Sequence, residues 1–338
     1  MTKFAKRTLL NTVFNSADIT AQLYEFLLDW KFTDNLSGAI DDLSLTLEDR
    51  DALWLTSWFP TQGSTIVATL KRDQWEKYPQ VTKLGIFEVD ELSGKDSVVS
   101  IKALATSEKS SLRKEKKCKA WEKTYLKTVI REIASKNGMK LIWEASDNPK
   151  KDRYEQDNQT DLAFIHALCN EEGLCLKINS NSIVVLDEKD YEDKPTVTHI
   201  NRIPRESDLI KIIDRSFTTT LTDTYRDCRV QHHEAKKKKN ISATYVPPKA
   251  PKVGRTLVIK QEVKSKSEAQ KLAKKKLREK NKEATKFTLK VYSLIHIDAG
   301  MTFDLKMFGK FSGKYIVTQV AYGPFDITLQ LRKCLEGY

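Results

Sequence analysis

Two stretches written in period two, separated by a stretch that is not, constrain this chain more than any other feature. Leu43, Leu45 and Leu47 alternate with Ser44, Thr46 and Glu48, and Val99, Ile101 and Ala103 alternate with Ser100 and Lys102. Successive side chains of a strand point to opposite faces, so each run predicts a half-buried strand. Ser64 to Leu70 and Gly85 to Leu92 add two short strands, bounded by turn signals at Pro60, Gly63, Pro79, Gly85 and Gly94. Residues 1–105 therefore read as a small antiparallel barrel or sandwich. The same grammar returns after residue 200. Leu209 to Phe217 is a strand, and Tyr225 to Gln231 pairs with Ile241 to Val246 around a turn at Lys236 to Lys239. Alternation then recurs at Phe287, Leu289 and Val291, at Met301, Phe303 and Leu305, and at Ile327, Leu329 and Leu331. Ser265 and Glu268 form a capping box before a stripe of Ala269, Leu272, Ala273 and Leu277. Residues 201–338 read as a second β-barrel with one lateral helix.

Between them the period changes. Trp121, Tyr125, Val129 and Ile133 recur every fourth residue, which predicts an amphipathic helix closed by Asn137-Gly138. A second helix starts at Thr160, carries Leu162, Ile165, His166 and Cys169 on one side, and ends at Glu172-Gly173. Leu174 to Ile178 and Ile183 to Leu186 then form a hairpin across Asn179-Ser180-Asn181. Residues 106–200 are thus an α/β insertion. A length of 338 residues suits two or three such modules, and the fold class is α+β, mainly β.

Chemistry is harder to find. Five scattered cysteines argue against a secreted disulfide framework and fit reduced, buried thiols made in a cytosol. The basic N-terminus, Met1 to Arg7, is not followed by a signal-peptide core, and no apolar run approaches the ~18–20 residues needed to span a bilayer. No glycine-rich phosphate loop, serine elbow or H-E-x-x-H motif is present, so no catalytic residues, no cofactor and no enzyme activity are expected. His166, Cys169 and Cys175 lack the paired spacing of a zinc site and are read as core, so no metal is expected. The net charge of +12 and the segment Lys271 to Lys282 raise nucleic-acid binding as the alternative function. That helix has no stacking aromatics on its basic side, and a solvated or interfacial face explains it better. The densest aromatic patch is Trp54, Trp58, Phe59 and Pro60. Such rings can anchor a subunit interface or cap the barrel's own core, and both readings stand.

One ordered series of motifs goes further. Ala17-Asp18-Ile19-Thr20, Asp42 to Arg50, Trp58-Phe59-Pro60 and Gly85 to Asp90 follow one another. Leu112-Arg113, Lys117, Trp121-Glu122, Ile133-Ala134 and Asn158 to Asp161 come next, then the helix at Ala269 to Leu277 and the closing strands. Over nearly the whole chain this order resembles the phage late control D family, the baseplate hub proteins of contractile phage tails and tailocin-like particles. The resemblance implies two tail-tube-like β-barrels with an inserted α/β domain. It also implies a homotrimeric symmetry adaptor, located in the baseplate of a virion or tail-like particle and assembled in the bacterial host cytoplasm. The implied partners are a separate spike protein, the tail tube or its initiator, and other baseplate proteins. Neither a membrane nor nucleic acid is an expected partner.

Overall fold

The computed structural model describes residues 7–61, 63–73, 81–105, 111–113, 115–179, 181–220, 222–234 and 239–337. The N-terminal Met1 to Lys6, the Pro79 turn signal, Ser180 and the Lys236 to Lys238 tip fall outside them. Alternation in the first hundred residues produces β1 (Arg7–Phe14), β2 (Ala17–Asp18), helix α1 (Thr20–Phe26), β3 (Leu27–Asn35), β4 (Asp42–Glu48), β5 (Thr65–Asp73), β6 (Val81–Lys95) and β7 (Val98–Leu104). Leu43, Leu45 and Leu47 on β4 stand opposite Ala103, Ile101 and Val99 on β7, and all six are buried. This is cross-strand packing of the apolar face that the alternation specifies.

The middle segment gives β8 (Lys116–Tyr125), α2 (Leu126–Lys136), β9 (Lys140–Trp143), β10 (Lys150–Thr160), α3 (Asp161–Glu171), β11 (Leu174–Asn179), β12 (Ser182–Asp187) and α4 (Glu188–Asp193). Trp121 and Tyr125, read above as helical, lie instead on β8. Positions i and i+4 share a face in a strand as well as in a helix, so their spacing cannot separate the two. Pairing with β10 decides the matter, with Trp121 opposite Tyr154, and the indole stacks on Phe164 at 5.6 Å. The helix ends follow the sequence. Thr160 Oγ1 accepts from the Ala163 amide at 3.3 Å, and Gly138 and Gly173 adopt left-handed φ of 67° and 71° just past the two helix ends.

The last segment contains β13 (Thr198–Asn201), β14 (Ile210–Thr219), β15 (Tyr225–Glu234), β16 (Lys239–Tyr245), β17 (Arg255–Lys260), α5 (Lys266–Asn281), β18 (Thr285–Ser293), β19 (Thr302–Lys306), β20 (Gly313–Tyr322) and β21 (Ile327–Lys333). β16, β15 and β17 form a separate small sheet, on which α5 buries Ala269, Ala273 and Leu277 against Cys228, Val230 and Ile241.

The expectation of two barrels is corrected. Strands of both the first and last segments form a single 13-stranded sheet in the order β14-β18-β21-β20-β3-β4-β7-β6-β5-β1-β2, with β19 attached to β20 and β13 to β19. Among the described residues no pairing closes either half on itself. The halves join where β3 meets β20, with Phe32, Thr33, Asp34 and Asn35 opposite Tyr322, Ala321, Val320 and Gln319. Alternation reports which face of a strand is buried but not which neighbour its edge will find. One apolar core accordingly runs from Leu10, Leu43 and Ile101 in the first half to Phe287, Tyr315 and Leu329 in the second.

Candidate assembly surface and module junctions

The patch Trp54, Trp58, Phe59 and Pro60 divides between core and surface. β4 ends at Glu48, and the chain turns on Asp49, whose Oδ1 accepts from the Trp54 amide at 3.2 Å. Trp58 N–H donates to the Leu53 carbonyl at 2.8 Å, which closes the loop. Trp54 and Pro60 are buried, whereas Trp58 is 36% and Phe59 56% exposed. The Trp58 ring meets Trp54 and Phe26 edge-on at 5.5 and 5.4 Å, which ties the loop to α1. Between loop and helix lies a cleft of about 340 Å³ lined by Phe14, Ile19, Leu23, Trp54, Trp58 and Phe59, with Gln22 and Ser57 contributing its polar wall. The indole Nε1 of Trp54 and Oδ2 of Asp49 are both buried with no hydrogen-bond partner.

A second region emerges only in three dimensions. Glu188 and Glu192 on α4 face Arg332 on β21 and Arg278 on α5. Arg332, 1% exposed, lies 2.6 Å from Glu188 Oε1 and 2.5 Å from Glu192 Oε1. Arg278 reaches the same two carboxylates at 3.2 and 2.8 Å, and Lys282 reaches Glu188 at 3.0 Å. Burial works against the Glu188 charge, yet Arg332, Lys282 and Arg278 outweigh it and hold the carboxyl down at about 2. The same two carboxylates overcome the desolvation of Arg278 and raise its pKa. This network ties the end of the middle segment to the lateral helix and to the large sheet.

The third junction fixes β11 to the β3–β4 turn. Lys177 on β11 bonds Asp34, and it lies 3.2 Å from Asp41 and 3.0 Å from the Asn35 carbonyl. Asp34 Oδ2 also accepts from the Ala299 amide at 2.8 Å, and Asp41 Oδ1 from the Asn35 amide at 2.8 Å. Burial raises the Asp41 pKa to about 6 despite the neighbouring lysine, with the Asp34 charge adding to the rise. A Lys between two Asp at distant positions leaves no local spacing to recognise, so sequence reasoning missed both junctions.

The basic helix is also accounted for differently once folded. Lys275 pairs with Glu172 at 2.6 Å, while Arg278 and Lys282 serve the buried network, so part of the positive face of α5 is already neutralised by this chain. Cys169 is buried in the core around Phe164 and Ile165, and burial pushes its thiol and that of Cys175 up to about 12. His166 is half-buried beside Gly38 and Asn170. Among the described residues no cluster of three or more His, Cys, Asp or Glu is placed to hold a metal ion, and no helix is long and apolar enough to cross a membrane.

Comparison with known proteins places this architecture. No family model matches the chain. The fold is that of tail proteins. A tail protein from Neisseria meningitidis MC58 superposes with a TM-score of 0.71 at 11% identity over 97% of both chains. The 43 kDa tail protein of prophage MuSo2 from Shewanella oneidensis superposes with a TM-score of 0.69 at 10% identity, over 97% of this chain and 98% of that one. In sequence, the chain is 25% identical over 181 residues to the probable baseplate hub protein of Escherichia phage P2. That match spans 52% of this chain and 44% of the relative, less than half of its length. Together these findings show that the chain has the fold of tail proteins and that about half of it is similar in sequence to a probable phage baseplate hub protein.

Proposed function

We propose that the chain is the central hub of a contractile injection system, a homotrimer that joins a trimeric spike to the hexameric tail tube. The observation that carries the reading is the β3–β20 seam, which joins two half-sheets into one continuous sheet. In this reading residues 1–105 and 201–338 are two tube-like modules and residues 106–200 an inserted module, so three copies present six half-sheets to a six-fold tube. Closed cyclic symmetry is the ordinary way to build such a ring. The buried charge network and the Lys177 clasp keep the inserted and lateral units from swinging under load. Trp58 and Phe59 are assigned to a subunit interface, with Trp54 and Pro60 supporting them from the core. Partners are further copies of the chain, a spike protein, the tube or its initiator and other baseplate proteins, with assembly in the bacterial host cytoplasm.

The P2 similarity and the tail-protein fold support this reading. Light scattering on the purified chain tests it: the expected mass is three times 38.8 kDa, with spike and tube proteins retained when all are coexpressed. A stable monomer that captures neither partner would sink it.

A further inference from the structure

The charge of this chain is unevenly spread. Residues 8–70 carry nine acidic side chains against two basic ones, Lys31 and Arg50, whereas residues 201–338 carry thirty basic against fourteen acidic. The imbalance coincides with two apolar surfaces at opposite ends of the large sheet. At the β1 end lies the cleft of α1 and the Trp54–Pro60 loop, flanked by exposed Glu25 and Asp51, which carry no ion pair among the described residues. Of the nearby cations, Arg50 is engaged by Glu48 at 2.6 Å and Lys71 sits close enough to Asp18 to help lower its pKa. At the β14 end, Phe217 is 56% exposed and its ring lies 4.8 Å from that of Phe311. The turn Met307 to Phe311 beside it carries exposed Met307 and Lys310 and follows exposed Lys306.

We propose that the acidic aromatic cleft of one copy receives Phe217 and the Met307–Phe311 turn of the next copy, joining the β1 end of one sheet to the β14 end of another. This inference rests on the trimer reading and specifies its contact. Two features carry it. The signs of charge are complementary, which steers association and rejects the like-ended encounter. Each surface presents exposed aromatic side chains, the residue class that dominates interface cores. Because the two surfaces differ and lie at opposite ends, the contact is head to tail, the kind that closes rings when the rotation permits.

Charge exchange tests the pairing on the full chain. E25K/D51K is expected to weaken self-association at least ~100-fold in low salt, because reversal sets like charges across the contact. K306E/K310E is expected to do the same. The quadruple variant E25K/D51K/K306E/K310E restores opposite signs and is expected to recover the trimer mass. All four positions are exposed, and circular dichroism confirms that each variant is folded. A wild-type monomer would overturn the trimer reading itself. A wild-type trimer that survives either double reversal, or a quadruple variant that stays monomeric, would overturn this contact while leaving the trimer intact.

Discussion

Replacing Arg332 with Met probes whether the buried charge network locks the modules together. The guanidinium is almost completely buried and meets two carboxylates at 2.6 and 2.5 Å, both on α4. Methionine preserves much of the apolar volume, so the perturbation is chiefly electrostatic. Removing one member of a buried ion pair typically costs about 3–5 kcal/mol, because the remaining charge stays desolvated. Arg278 and Lys282 still face Glu188, which argues for the lower half of that range. At about 2 °C per kcal/mol for a large chain, the thermal midpoint falls by roughly 6–8 °C. Chemical denaturation followed by far-ultraviolet circular dichroism measures the loss directly. Combining Arg332→Met with Glu192→Gln is expected to cost less than the sum of the singles by at least about 0.5 kcal/mol, since each already removes the shared contact. The pH dependence adds an independent check. The Glu188 carboxyl, normally near 4.5, is held at about 2, so its contribution is complete above about pH 4.5 and is lost as pH falls toward 2. The gap between wild type and Arg332→Met therefore narrows in acid. A loss below about 1 kcal/mol, strictly additive singles, or a gap that stays constant down to pH 2 would refute the reasoning.

Asp41 has the opposite sign. Its folded value of about 6 lies above the ordinary 3.8, so stability increases as pH falls through 6 and levels off below about 4; Asp41→Asn removes that slope in a series of thermal melts. Ser265→Ala deletes the cap that accepts from the Glu268 amide at 3.1 Å and is expected to cost about 1 kcal/mol, read as a lower denaturant midpoint. Gly300→Ala meets both a φ of 94° and a Tyr191 ring carbon 2.9 Å from the new Cβ, and a loss of about 1–3 kcal/mol is expected in the same assay. Duplex DNA titrations from 50 to 200 mM salt are expected to show no steep loss of a tight complex, since Lys275, Arg278 and Lys282 are already paired within the chain.

Local chemistry carried a large part of this protein on its face. Leu43, Leu45 and Leu47 announce a half-buried strand because the period of a strand is two, wherever that strand ends up. Thr160, Ser265, Gly138 and Gly173 mark helix ends because an orphan amide or a left-handed turn is satisfied within a few residues. The aromatic loop at Trp54 to Pro60 was visible as a cluster, and the ordered motifs carry a resemblance to the phage late control D family. Other choices needed the folded chain. Trp121 and Tyr125 belong to a strand only because β10 arrives beside them. The half-sheets stay open and fuse because Phe32 to Asn35 find Gln319 to Tyr322, a pairing between edges far apart in sequence. Glu188, Arg278 and Arg332 become a clasp only when α4, α5 and β21 converge. Periodicity and capping are energies of near neighbours, so sequence alone determined many of the elements and their buried faces. Edge pairing and charge burial are energies of distant neighbours, and tertiary structure alone decided how those elements join into one large sheet with its attached modules.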